Sequence, residues 1–251
     1  MNDLDLLIQL HITQDRQGPG SEQDTMLAAK LAGLDGEKTL KIADIGCGTG
    51  TASLDLAKNL NCEVTSVDFL PEFIEKLKSR ATETNVGDKI TPVVGDMSDL
   101  PFEEESFDVL WSEGAVYNIG FETGIRDWRK YLKSGGTLVV SELTWLTEER
   151  PNEITEHWNR EYPEVATAGE KIRQLEQHGY KLLGYFPLRE ASWNEEYYKP
   201  LQARYESLKA EYPDRLEAVQ GFIDENEREI ELYNKYKDFV SYGVYIAKKV
   251  D

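Results

Sequence analysis

The stretch Ile42-Ala43-Asp44-Ile45-Gly46-Cys47-Gly48-Thr49-Gly50-Thr51 decides the fold of this chain. A short apolar run, Leu40–Ile45, ends abruptly in three alternating glycines and is followed by the helical pattern Leu54, Ala57, Leu60. A strand that turns this sharply into a helix needs glycine, for unusual backbone angles and for close ligand approach. Two further apolar segments end the same way. Val64–Val67 closes on Asp68, and Ile90–Val94 closes on Gly95-Asp96-Met97. Strand-like segments ending in glycine or an acid, separated by helices, imply right-handed crossovers and a parallel sheet. Such a sheet binds a nucleotide-like ligand across its carboxyl ends.

Outward from that loop the pattern continues. Pro71 opens a helix carrying Phe73, Ile74 and Leu77. Phe107–Trp111 reads as a fourth strand, Glu122–Leu132 as a helix stopped by Lys133-Ser134-Gly135-Gly136, and Thr137–Val140 as a fifth strand. Upstream, residues 4–13 form a short amphipathic helix, Arg16–Gly20 is a breaker cluster, and Ser21 with Asp24 caps a helix to about Leu34. Downstream, Pro151–Arg160 and Gly169–His178 read as helices, and Tyr180–Pro187 and Tyr242–Ala247 as the last two strands. Between those strands lies a polar, aromatic insert, residues 193–239, read as two or three helices and a lid. The expected organisation is one domain over residues 1–251. It comprises an N-terminal helical cover (1–37), a cofactor-binding core (38–145) and the insert.

The glycine loop is not arranged for phosphate. A dinucleotide fingerprint wants its third glycine where Thr51 stands, and a P-loop wants a lysine that the loop lacks. Asp44 repels a pyrophosphate and attracts an ammonium. Asp68 can accept both hydroxyls of a ribose, and Asp96 can receive the exocyclic amine of adenine beside Met97. These choices favour S-adenosylmethionine over NAD, because that donor carries an ammonium and a sulfonium and no phosphate.

The ordered set Asp44–Gly50, Val67–Phe69, Gly95–Met97, Phe107–Glu113 and Tyr131–Gly136 resembles the class I S-adenosylmethionine-dependent methyltransferases, in the small-molecule branch that includes quinone-ring methyltransferases. The resemblance implies an α/β, Rossmann-like, seven-stranded, mostly parallel sheet with helices on both faces. Its strand order is 3-2-1-4-5-7-6, with strand seven antiparallel. It also implies that Asp44, Gly46, Cys47, Gly48, Gly50, Asp68, Phe69, Asp96, Met97 and Ser112 bind the cofactor, and that segment 112–118 faces the transferred methyl group. Gly18-Pro19-Gly20-Ser21 resembles a cofactor-covering element. The adenine-amine enzymes carry Asn/Asp-Pro-Pro-aromatic after strand four, and cytosine-carbon enzymes a Pro-Cys. This chain has Ser112-Glu113-Gly114-Ala115 instead.

Methyl transfer is an in-line displacement that needs positioning and the exclusion of water. Glu113 is placed to orient the acceptor or take its proton, and Tyr117 to present a hydroxyl or ring, against the competing reading of each as structural. Trp111, Trp145 and Trp193 are candidate pocket walls or core. Of His11, His157 and His178, only His157 is worth testing as a base, and no metal-ligand spacing occurs.

Composition narrows the partners. A net charge of −19, from 28 basic and 47 acidic side chains, disfavours a nucleic-acid substrate. No apolar stretch is long enough for a membrane span. Met1–Leu10 carries Asp3 and Asp5 without a basic start, unlike a signal peptide. The expected compartment is cytoplasmic. The expected partners are a small-molecule acceptor and, at most, a second copy of the chain as a homodimer. Two rival functions remain at this stage: a non-catalytic S-adenosylmethionine-binding regulator and an NAD-dependent oxidoreductase.

Overall fold

The strands of the computed structural model form a twisted mixed sheet in the order β3-β2-β1-β4-β5-β8-β7, with the two-residue β6 paired to β5. The structure describes residues 3–251, and the side chains of Asp3 and Leu4 are not described. The start of the expected N-terminal cover and part of the leader reading, Met1 and Asn2, therefore lie outside the described residues. The strands are β1 Leu40–Ile45, β2 Cys62–Asp68, β3 Ile90–Val94, β4 Phe107–Ser112, β5 Leu132–Trp145, β6 Ala166–Thr167, β7 Tyr180–Pro187 and β8 Val240–Lys249. β1 to β5 pair in parallel, while β8 runs antiparallel to both β5 and β7. Leaving out β6, this is the expected seven-strand order.

Alternation along each strand explains why both faces are covered. On β1, Ile42 packs into one core and Ala43 and Ile45 into the other. A parallel sheet buried on both faces reads as continuous apolar runs for this reason. One face is covered by α2 (Glu22–Leu31), α3 (Thr51–Asn59) and α4 (Pro71–Glu83), the other by α5 (Phe121–Trp128) and α7 (Ala168–Gln177). The cap expected at Ser21 is present, its side chain accepting from Asp24 N.

The largest departures from the expected boundaries fall around β5. The α5 helix ends at Trp128, and β5 begins at Leu132, before the glycine pair. The strand absorbs Gly135 and Gly136 at a jump in register between Phe107 and Val109 of β4. It also extends to Trp145, because β8 pairs with it from Thr137↔Lys248 to Trp145↔Val240. That partner is remote in sequence, so local pattern does not show the length.

The rest of the chain packs around the carboxyl ends of the sheet. It includes α1 (Asp3–His11), α6 (Asn152–Glu161) and the insert: α8 (Glu190–Trp193), a π-turn (Asn194–Tyr198), α9 (Lys199–Glu211) and α10 (Leu216–Tyr236). Leu6 and Leu10 of α1 share a small separate core with Leu201, Tyr205 and Leu208 of α9 and Val219 and Ile223 of α10. The N-terminal helix and the insert are thus one packing unit. No helix among the described residues is long and apolar enough to cross a membrane.

Candidate active site

The glycine loop is held open by backbone bonds from the neighbouring strand. Gly46 N and Cys47 N both donate to Val67 O, at 2.8 and 3.0 Å. Gly48 has φ +57°, and a Cβ there would collide with Gln17 Oε1. Asp68 closes the loop from the side: one oxygen accepts Gly48 N at 2.8 Å and the other accepts Leu70 N at 3.0 Å. Burial pushes its carboxyl above the usual range, against those bonds. Phe69 beside it is largely exposed on the cavity rim. Asp96 accepts Ser98 Oγ and N at 2.7 and 2.8 Å, which hold its carboxyl below the ordinary value. The Met97 carbonyl takes Trp128 Nε1 at 2.8 Å, fixing the turn that carries both residues.

Asp44 is the most confined of these acids, 1% exposed. Ser53 Oγ lies 2.6 Å from its carboxylate and 2.7 Å from Ser66 Oγ. Burial pushes the Asp44 carboxyl up to about 7; the Ser53 bond opposes this, and Glu113 and Asp68 add to it.

A strap from residues 14–20 lies over the loop. Gln17 Oε1 accepts Thr49 N at 2.8 Å, and Arg80 on α4 donates to Thr49 O at 3.0 Å and Asp15 O at 2.9 Å. Arg16 reaches inward to Glu113 at 2.8 Å and Asp55 at 3.2 Å. Glu113 also accepts Thr25 Oγ1 at 2.7 Å and Trp111 Nε1 at 2.9 Å. Both its oxygens are therefore engaged by fixed donors.

Strap, loop and insert enclose a cavity of about 910 Å³. Asp44, Gly46, Cys47, Gly48, Asp68, Phe69, Asp96, Met97, Glu113 and Tyr117 all line it. Gly50 and Ser112, expected with them, sit behind the wall. Gly50 is covered by Leu77, and the Ser112 hydroxyl is spent on Ile45 O at 2.8 Å. Cys47 is buried, and burial pushes its thiol well up, so it is an inert part of the wall. The three tryptophans do not reach the cavity: Trp111 holds Glu113, Trp145 lies under Arg150, and Trp193 stacks on Tyr233. His157 packs on Trp158 away from the cavity, and His178 pairs with Glu122.

Sequence reasoning missed the far wall. His11, Tyr197, Phe222, Asn226 and Glu229 line the cavity from α1, the π-turn and α10. Adjacent tyrosines of the π-turn serve different surroundings: Tyr197 lines the cavity while Tyr198 enters the core. The helical spacing of the insert was visible in the sequence; which face met the sheet end was not.

The cofactor half of this cavity is acidic. Arg16 is its one Lys or Arg among the described lining residues, and two carboxylates already hold it. A diphosphate has no counter-charge here, while a donor with an ammonium and a sulfonium fits Asp44, and ribose hydroxyls fit the free lone pairs of Asp68. A doubly wound sheet with this crevice is suited to a nucleoside-bearing cofactor at the carboxyl ends of its strands. Comparison narrows it further. Residues 42–136 match the family model described as a methyltransferase domain. The 27-O-demethylrifamycin SV methyltransferase of Amycolatopsis mediterranei (strain S699) is 25% identical over 222 residues, covering 82% of this chain and 77% of that protein. The ubiquinone/menaquinone biosynthesis C-methyltransferase UbiE of Geobacter sp. (strain M21) is 28% identical over 123 residues. That match covers 48% of this chain and about half of UbiE, 52%. A methyltransferase from Geobacter sulfurreducens, solved with S-adenosyl-L-homocysteine, superposes with a TM-score of 0.84 at 17% identity, over 98% of both chains. At that identity the superposition speaks for the fold. Residues 42–136 are thus similar to a methyltransferase domain, and the sheet that holds them has the fold of solved S-adenosylmethionine-dependent methyltransferases.

Proposed function

We propose that the donor lies along the carboxyl ends of β1, β2 and β3 and that a small acceptor enters from the side of the insert. In this reading Asp68 holds the ribose hydroxyls, Asp96 faces the adenine amine with Phe69 against the ring, and Asp44 receives the ammonium. The observation that carries it is the Asp68 carboxylate, hydrogen-bonded to Gly48 N in a crevice with no unpaired lysine or arginine among its described lining residues. S-adenosylmethionine supplies an electrophilic methyl group when bound.

The chain's own contribution is orientation and the exclusion of water. Glu113 serves as a positioning residue. Through Arg16 and Thr25 it locks the strap and α2 onto the end of β4, and it is not the proton acceptor. Tyr117 stands where the cofactor cradle meets the insert wall, and its ring meets Tyr162 edge-on at 6.2 Å. Residues 193–239, docked on α1, act as the lid. The net charge of −19 supports an acceptor other than nucleic acid. The two free thiols, Cys47 and Cys62, support a reducing compartment, the cytoplasm.

The test is calorimetric titration of the whole chain with S-adenosylhomocysteine, before and after Asp68→Ala. The substitution is expected to weaken binding by about 1–3 kcal/mol, the range for lost hydrogen bonds to a charged group. Equal affinity in the two proteins would place the cofactor elsewhere. Tight binding with no labelled methyl transfer to any acceptor class would instead favour a regulator.

A further inference from the structure

Beyond Tyr117 the cavity changes character. Its wall there comes from α1, the π-turn and α10, and combines rings with carboxylates. His11 lies parallel to Tyr197, with ring centroids 6.2 Å apart. Phe222, Glu225 and Glu229 follow one another along one side of α10 at the spacing of helical neighbours, and all three line the cavity. Resting on the methyltransferase reading above, we propose that this end of the cavity binds a cationic amine, and that the protein is an N-methyltransferase of amine acceptors.

Three observations converge on a cation. First, Glu229 accepts a hydrogen bond from Tyr198 Oη at 3.0 Å on one oxygen, and its carboxylate still borders the cavity. Burial pushes that carboxyl upward, and a cation beside it would favour its charged form again. Second, the rings of Tyr117, Tyr197 and Phe222 line the same chamber, and the faces of such rings attract ammonium groups. Third, no lysine or arginine among the described residues lines this end; the cavity's Arg16 is held between Glu113 and Asp55. A phosphate or carboxylate acceptor would face two carboxylates with nothing to neutralise it. His11 completes the wall. It is 7% exposed, its Nδ1 has no hydrogen-bond partner, and burial pushes its pKa down to about 4. It is therefore neutral, does not repel a cation, and keeps an unused polar atom beside the chamber.

The chemistry balances. A primary or secondary ammonium gives one N–H proton to the Glu229 carboxylate. The freed nitrogen lone pair forms the N–C bond to the donor methyl while the S–C bonding pair returns to sulfur. The products are a methylated ammonium and a neutral thioether. A tertiary amine needs no proton acceptor.

The test uses the full chain saturated with S-adenosylhomocysteine and three probes of similar shape: benzyltrimethylammonium, neutral neopentylbenzene and anionic phenylacetate. Calorimetry is expected to show the cation binding at least about tenfold tighter than either of the others. Glu229→Gln should remove most of that preference, and Glu225→Gln, at an exposed position that leaves folding intact, should reduce it. S-adenosylhomocysteine affinity should stay within about twofold in both variants. A cation that binds no better than the neutral or anionic probe, or not at all, overturns the proposal, as does a preference that survives Glu229→Gln. Absence of S-adenosylhomocysteine binding would instead overturn the methyltransferase reading itself.

Discussion

Asp44 carries an electrostatic cost that the cofactor is suited to relieve. A carboxyl held at about 7 by burial is partly protonated at neutral pH. An ammonium brought beside it favours the charged form and lowers that value. Binding of S-adenosylhomocysteine near pH 7 is therefore expected to release a fraction of a proton, and its affinity to rise as pH climbs through about 7. Titrations in buffers of different ionisation enthalpy measure this directly, and proton uptake would place the ammonium elsewhere. Gly48 makes a second residue-scale statement. Its backbone is left-handed and the space beside it belongs to Gln17. Gly48→Val should abolish S-adenosylhomocysteine binding and detach the strap. Wild-type affinity in that variant would show that loop and strap do not form the cradle.

The elements divide into those readable from local pattern and those set by a distant partner. β1 and β3 match their expected bounds and α4 starts at Pro71 as expected, because glycine, a short apolar run and proline mark those ends. β5 was expected at less than half its length, since its second half owes its strand form to β8. The packing of α1 on α9 and α10 was equally invisible. Leu6, Leu10 and Leu208 show apolar spacing in sequence, but spacing does not reveal which helix answers it. That small core supports the insert wall, so Leu208→Ala should destabilise it by about 2–5 kcal/mol. Hydrogen exchange should quicken in α1, α9 and α10 while the sheet stays protected. Uniform quickening across the sheet would mean that the insert is not a separate packing unit.

For the molecule as a whole, the cavity is a meeting of remote parts: α1 with the strap near residue 16, the strand ends from 44 to 117, and the insert from 197 to 229. Two buried acids of the sheet, Asp44 and Glu142, each 1% exposed, have carboxyls pushed up to about 7, chiefly by burial. For an acid raised in this way, the folded state binds more protons than the unfolded chain between about pH 4 and pH 7. The stability it contributes is complete below about pH 4 and is lost as pH rises through about 7. The unliganded protein should therefore melt several degrees lower at about pH 8 than at about pH 5.5, and S-adenosylhomocysteine should narrow the gap. A melting temperature that rises across that interval would contradict the burial of these two groups.

The amino-acid sequence on its own determined the alternation of strands and helices and the turn at the glycine loop, because those depend on short-range signals: glycine where the backbone must turn left-handed, acids at strand ends, and apolar runs of strand length; the strand order followed from the family resemblance. Only the tertiary structure decided the cavity wall from the insert, the engagement of Glu113 by three donors and the seclusion of Ser112. Each of those depends on which side chains from segments far apart in the chain come within about 3 Å of one another, the reach of a hydrogen bond. Local periodicity places a side chain on a face of its helix or strand; packing between elements selects what that face meets.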